Sequence, residues 1–259
     1  MKKLIKIVLI LLVVLIIAAA LAIHFLLDGA VKKAVETLGP QITKVDVKLD
    51  SVSISILSGS GKIKGLVLGN PEGFKSKSSI SLGKAGLGLK PASLLSDKIV
   101  VRSIVVEAPE ITFEQSLKGN NLLTLKKNLG GDATAEKTQP KEQPKENSAA
   151  GKKLQVDDVL ITGGKVHVTV SALGDKSATV SLPPIHFTNL GTGPDGITPA
   201  ELSKRILSEL IEGAVKEGEK TVADLAKGAV IMGGNLGTNA TGKIGKTLEG
   251  VGDLFKKKK

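Results

Sequence analysis

An apolar run from Ile7 to Leu27, interrupted only by His24 and preceded by Lys2, Lys3 and Lys6, constrains this chain more than any other feature. A helix of about 20 residues rises about 30 Å, the thickness of a bilayer's hydrocarbon core. Residues 1–27 therefore read as cytoplasmic lysines and a single transmembrane anchor, and everything after them as a tethered domain. A cleaved signal peptide is the alternative, with Ala18 to Ala20 as small residues near the cleavage site. The run continues past those alanines and exceeds the roughly 7 to 15 residues of a signal core, which favours the anchor. Lysines precede the span, while Lys32 and Lys33 follow it beside Asp28, so the charge bias toward a cytoplasmic N-terminus is slight. The expected topology is single-pass, with the N-terminus in the cytoplasm and the bulk domain outside it, in a bacterial envelope.

The chain has no cysteine, which excludes disulfide scaffolds and thiolate metal sites. A net charge of +11 raises nucleic acid as a partner, but there is no Trp, no Tyr and only five scattered Phe to stack on bases. The basic excess gathers at the two ends, with lysines at 256 to 259, which suits a membrane surface better than a duplex. No nucleic-acid partner is expected.

After the span, 28–40 reads as a short juxtamembrane helix, Ala30, Val31, Ala34, Val35 and Leu38 along one side and Gly39-Pro40 at its end. The period then changes to two. Val45, Val47 and Leu49 alternate with charged residues; Val52, Ile54 and Ile56 alternate with serines. The apolar phase slips by one between them, so a bulge or turn at Asp50-Ser51 is needed to keep both sets on one face. Further strands fit 61–68, 79–89 and 98–107. The last opens an internal repeat in which Ile104, Val106, Pro109, Ile111 and Phe113 match Val159, Ile161, Gly164, Val166 and Val168 at a constant offset of 55. Each copy reads as a hairpin, turned at Ala108-Pro109 or Gly163-Gly164.

Between the copies, residues 130–151 hold no large apolar side chain and read as a disordered insertion within one sheet domain, 41–192. Strands near 177–182 and 185–188 close it. The remainder, 193–259, reads as a helical region with a basic tail. Thr198-Pro199-Ala200-Glu201 combines an N-cap, a first-turn proline and a capping-box glutamate. Leu202, Ile206, Leu207, Leu210, Ile211, Ala214 and Val215 then define an apolar helix face. From Thr221 on, frequent glycines weaken helical character, although Leu248, Val251, Leu254 and Phe255 keep a narrow apolar stripe beside lysines. The predicted class is α+β: an N-terminal transmembrane helix, a curved, mostly antiparallel, one-sided sheet of repeated hairpins, and C-terminal amphipathic helices.

Catalytic constellations are missing from the pattern. His24, His167 and His186 are the only imidazoles and none pairs at zinc-helix spacing. Leu57 to Lys62 lacks P-loop spacing and leads into a strand, so a hairpin connection explains it. Gly233 to Gly245 lacks the strand-turn-helix context of a dinucleotide fingerprint. Glu107, Glu110 and Glu114 sit at strand positions expected to face water. A non-enzyme without metal or cofactor is expected.

The segment from Gly61 to Leu66, the turn Asn70-Pro71-Glu72-Gly73-Phe74, Ser93-Leu94-Leu95, the two repeat units and Asn121-Leu122-Leu123 together resemble AsmA-like envelope proteins over most of residues 1–192. The resemblance implies an inner-membrane-anchored periplasmic protein whose curved sheet cradles lipid acyl chains, with roles in lipid transfer and outer-membrane homeostasis. About ten strands at ~4.8 Å would give a sheet of only about 50 Å, short for bridging two membranes. The faces expected to meet lipid carry Val45, Val47, Leu49, Val52, Ile54, Ile56, Ile104, Val106, Ile111, Phe113, Val159, Ile161, Val166 and Val168. Two alternatives stay open: that these residues are core, covered by Leu202 to Val215, and that the chain is an envelope scaffold binding other proteins without lipid. The expected partners are the inner membrane, phospholipid and other envelope proteins.

Overall fold

A computed structural model of the chain describes residues 26–117, 119–130 and 152–232. The span expected at 7–27 falls almost wholly outside the described residues, as do the insertion after residue 130 and the stripe at 248–255. Among the described residues, no helix is long and apolar enough to cross a membrane. The elements in order are α1 (26–43), β1 (Val47–Ser55), β2 (Ser60–Gly69), β3 (Ser78–Leu89), β4 (Lys98–Glu107), β5 (Glu110–Ser116), β6 (Gly119–Asn120), α2 (Asn121–Asn128), β7 (Lys153–Thr162), β8 (Lys165–Val170), β9 (Lys176–Ser181), β10 (Ile185–Leu190) and α3 (Pro199–Met232). The ten strands form one mixed sheet, antiparallel except where β4 meets β7 and β5 meets β8. An α+β class with a mostly antiparallel open sheet is thus correct.

The hairpins expected for the repeat are not what forms. β4 and β5 do not fold back on each other but follow one another along the same edge of β3, Ala85 opposite Val106 and Ile80 opposite Ile111. β7 and β8 lie beside them in parallel, Ile104 against Val159 and Ile111 against Val166, so the sequence offset of 55 is itself the pairing register. β9 and β10 complete a third such lane against β8 and β7. A parallel neighbour requires a crossover of a dozen or more residues. That is why β6, α2 and the long insertion stand between the two repeat units.

Collinear strands also shrink the sheet. Its ten strands occupy six lanes, β1, β2, β3, β4–β5, β7–β8 and β9–β10, with β6 appended to β5. Five spacings of ~4.8 Å make it about 24 Å wide, half the width expected from ten strands side by side.

One crease crosses all six lanes. The registers place Asp50, Gly65, Gly83, Ala108, Gly163 and Pro183 in a single transverse row, at which ladder pairing is interrupted. Gly65, Ala108 and Gly163 take positive φ of 63°, 48° and 67°. Single bonds stitch the row: Ala108 N–H donates to Thr162 O (2.8 Å), Lys165 N–H to Pro109 O (2.9 Å) and Leu182 N–H to Gly164 O (2.8 Å). Each lane inserts one residue here, so its apolar alternation shifts phase: Val47 and Leu49 before, Val52 and Ile54 after; Ile104 and Val106 before, Ile111 and Phe113 after. A one-residue slip in one lane alone would turn its apolar set to the wrong face. Made in every lane at once, it preserves both register and core face. The phase break expected at Asp50-Ser51 is the first residue of this row.

The crease divides the sheet into two panels. On the first, α3 packs over β5, β8 and β9, and Ile111, Phe113, Val166, Val168 and Val170 are fully buried. The expected capping box forms: Thr198 N–H and Oγ1 donate to Glu201 Oε2 (2.8 and 2.7 Å), and Glu201 N–H donates to Thr198 Oγ1 (3.1 Å). The helix does not weaken at Thr221 but runs on to Met232, with Val222 buried. Gly218 is there for fit, since a Cβ at that position would stand 2.5 Å from the Phe113 ring. α2 is capped by Asn120, whose Oδ1 accepts Leu123 N–H (2.7 Å), and is tied to α3 by Lys126 and Glu212 (2.9 Å).

At the opposite edge, α1 passes through Gly39-Pro40 and ends at residue 43 rather than 40. Proline deletes one helical donor, but Thr43 Oγ1 donates to Gly39 O (2.9 Å) and Lys44 N–H to Pro40 O (2.9 Å), closing the last turn. Side chains four residues apart on α1 serve the free edge of β1. Asp28 Oδ1 accepts Ile54 N–H (2.8 Å), Lys32 Nζ donates to Asp50 O (3.0 Å), and Glu36 Oε1 accepts Leu49 N–H (3.1 Å). A helix thus covers an edge that would otherwise invite pairing by another strand.

Candidate functional site

The residues expected to face lipid divide at the crease. Val45, Val47, Leu49, Ile111, Phe113, Val166 and Val168, on the first panel, are 0–7% exposed and belong to the closed core. On the second panel Val52, Val159 and Ile161 are also buried, whereas Ile54, Ile104 and Val106 are half-buried and Ile56 is 37% exposed. The repeat offers an internal comparison. Val159 and Ile161 lie one lane nearer the start of α3 than their equivalents Ile104 and Val106, and only the latter pair keeps access to water.

α3 lies on the side of the sheet away from β1. It starts beside the far end of β7, where Ile197 and Leu154 exchange N–H···O bonds of 2.8 Å, passes Leu182 at Gly213 and reaches Phe113 at Gly218. This diagonal packs on β5, β8, β9 and β10 and leaves Ile54, Ile63, Leu87, Ile104 and Val106 as an apolar strip of four lanes, from β1 to β4. Ile63 and Leu87 were not singled out from the sequence. Their signal was present, since Ile63 pairs with Val52 and Ala85, and Leu87 with Ile104, on the same face.

Polar chemistry lies elsewhere. On the opposite face His186 Nε2 is 2.6 Å from Asp158 Oδ1, and His167 Nδ1 is 3.0 Å from Thr179 Oγ1. Both are cross-strand pairs at a solvated surface. Among the described residues, no three His, Asp or Glu side chains come together as metal ligands.

Glu114, expected to face water, is instead 2% exposed. The loop after β2 folds over it, and its carboxylate accepts Lys75 N–H (2.8 Å) and Ser76 N–H (2.9 Å). Burial works to raise its pKa, but those backbone donors, Ser76's side chain and the Lys75 charge together hold it below the usual carboxylate range. Asn70 and Asn121 complete the cluster: Asn121 Nδ2 donates to Asn70 Oδ1 (2.8 Å), and Glu114 N–H donates to Asn121 Oδ1 (2.8 Å). The Asn-Pro turn and the Asn-Leu-Leu segment, far apart in sequence, thus share one structural job. On α3, Glu219 has a buried Oε1 without a hydrogen-bond partner, and desolvation pushes its pKa up to about 7.

A creased, mostly antiparallel sheet with one long helix across half of its apolar face defines the class: a one-sided β-sheet domain with an uncovered apolar strip. Within that class the chain is similar to the AsmA family, whose model matches residues 60–183, from the start of β2 to just past β9. The match takes in both repeat units and points to an envelope-associated protein. No curated protein and no solved structure matches the chain.

Proposed function

We propose that this protein is a non-catalytic, membrane-anchored periplasmic member of the envelope machinery that holds lipid acyl chains against the strip formed by Ile54, Ile63, Leu87, Ile104 and Val106. The observation that carries the proposal is the asymmetry between the repeat units on the second panel: Val159 and Ile161 are buried, whereas their equivalents Ile104 and Val106, with Ile54, Ile63 and Leu87 beside them, are only half-buried. Contiguous apolar surface is costly to leave in water, at ~25 cal/mol per Å², and its persistence beside a polar rim marks a binding face. Branched aliphatic side chains without a directional polar partner suit a disordered hydrocarbon chain better than a headgroup. The AsmA-like match supports the envelope setting.

Photocrosslinking from benzophenone side chains placed singly at Ile104, Leu87 and exposed Thr179, in the full-length chain within its membrane, tests this. Lipid adducts at Ile104 and Leu87 but not at Thr179 are expected. Protein adducts alone at the first two positions would replace lipid handling with a scaffold role.

A further inference from the structure

Four of the six largest exposed apolar side chains among the described residues gather at one end of the sheet: Leu26, Ile56, Leu57 and Leu95, the last two each 94% exposed. Leu57 lies on the turn between β1 and β2, and Leu95 ends the 3-10 turn Pro91–Leu95 between β3 and β4. The two turns touch, since Leu89 N–H donates to Gly59 O (2.6 Å) and a Cβ on Gly59 would stand 3.0 Å from Pro91. Isolated surface leucines need no explanation, but a cluster on adjacent tips does.

Lysines gather beside the cluster. Lys90 precedes the 3-10 turn, Lys152 Nζ donates to Leu94 O, and Lys98 and Lys153 lie side by side at the starts of the parallel strands β4 and β7. Asp97 lies among them, Asp195 is in the loop that Lys98 reaches, and Glu201 is near Lys153. Like charges directly opposite in a sheet are unfavourable. Lys98 is turned aside to donate to Gly193 O (3.1 Å).

The direction of the chain adds a second, independent argument. Because Asp28 meets Ile54 while Glu36 meets Leu49, α1 runs antiparallel to β1 and its first residues lie at this same end. The apolar run from Ile7 to Leu27 therefore joins the domain beside Leu57.

We propose that this end of the sheet rests on an anionic bilayer, with Leu57 and Leu95 inserted at the boundary between headgroups and acyl chains and Lys90, Lys98, Lys152 and Lys153 among the phosphates. Shallow apolar insertion combined with lysines is how peripheral surfaces hold to anionic membranes. The contact fixes the domain's orientation relative to its anchor. It does not require lipid on the uncovered strip.

The chain has no Trp and no Tyr, so a single introduced indole reports its own depth. Full-length Leu57→Trp and Leu95→Trp would be reconstituted in vesicles containing phosphatidylglycerol, with Leu117→Trp as control. Leu117 is 78% exposed on the turn after β5, at the far end of the first panel. Blue-shifted emission, mostly lost to a bromine-labelled lipid, is expected at positions 57 and 95, with water-like, unquenched emission at 117. Emission at 57 and 95 indistinguishable from that at 117 would overturn the proposal. Quenching equally strong in purely phosphatidylcholine vesicles would overturn its electrostatic part.

Discussion

Two glycines on α3 predict opposite outcomes for the same substitution. In a helix interior, Gly→Ala ordinarily gains about 1 kcal/mol, because alanine loses less backbone entropy on folding. At Gly213 the new methyl would meet the terminal Cδ1 of Leu182 at 3.1 Å and of Ile185 at 3.9 Å, flexible ends that can yield by a few tenths of an ångström. Most of the gain survives, and Gly213→Ala is expected to stabilise by about 0.5–1 kcal/mol. At Gly218 the methyl would stand 2.5, 2.6 and 2.9 Å from three atoms of the Phe113 ring. That ring is rigid and wholly buried, so either α3 lifts or Phe113 leaves its rotamer. Overpacking of this kind costs ~1–3 kcal/mol. Contact below 3 Å with three ring atoms lies at the upper end, leaving Gly218→Ala destabilised by about 2 kcal/mol after the propensity gain. Urea unfolding of the full-length variants, followed by far-ultraviolet circular dichroism, measures both. Equal stabilisation by the two substitutions would refute the close approach of α3 to Phe113 and with it the account of why one panel is sealed.

Two carboxylates give further tests. Glu219 has its pKa raised to about 7 by desolvation, against an ordinary 4.5, so the folded state binds the extra proton between those values. Stability from the neutral form is full below about 4.5 and lost as pH rises through about 7. Complete burial would make this over 3 kcal/mol, and the part of the side chain still in water reduces it to about 1–2. Glu219→Gln should therefore stabilise by that amount at pH 8 and flatten the profile between pH 5 and 8, as thermal unfolding across that range would show. Glu114, whose pKa is depressed, behaves oppositely: its stabilisation is present above the ordinary carboxylate pKa and falls away as pH drops through the depressed one. Glu114→Gln sets an amide donor against one of the backbone donors of Lys75 or Ser76 and should cost about 2 kcal/mol at neutral pH by urea titration.

Local signals in the sequence were read well where they sufficed. Strand positions follow from alternation, the start of α3 from Thr198-Pro199-Ala200-Glu201, and its buried face from the spacing of Leu202 to Val215. The repeat was legible too, but its geometry was not. A phase break beside Pro109 or Gly164 looks the same along one strand whether the chain reverses or merely creases, since both use a positive φ and a missed ladder bond. Only the other lanes decide, and the row from Asp50 to Pro183 becomes visible once their registers are known. The helix extensions past Pro40 and Thr221 had the same origin, because tertiary packing and capping outweighed local propensity. The division of apolar residues between core and open strip was likewise hidden. Ile104 and Ile111 are alike in sequence, and the packing of α2 and α3 on β5 separates them.

Native mass spectrometry of the full-length chain, extracted mildly from its own envelope, shows directly whether acyl chains lie on the uncovered strip. α1 must be kept, since its side chains serve the edge of β1. Stoichiometric phospholipid is expected on the native chain, lost in Ile104→Glu while the urea midpoint moves little because Ile104 is only half-buried. Lipid-free native protein, or lipid retained undiminished by Ile104→Glu, would contradict acyl-chain binding on the strip.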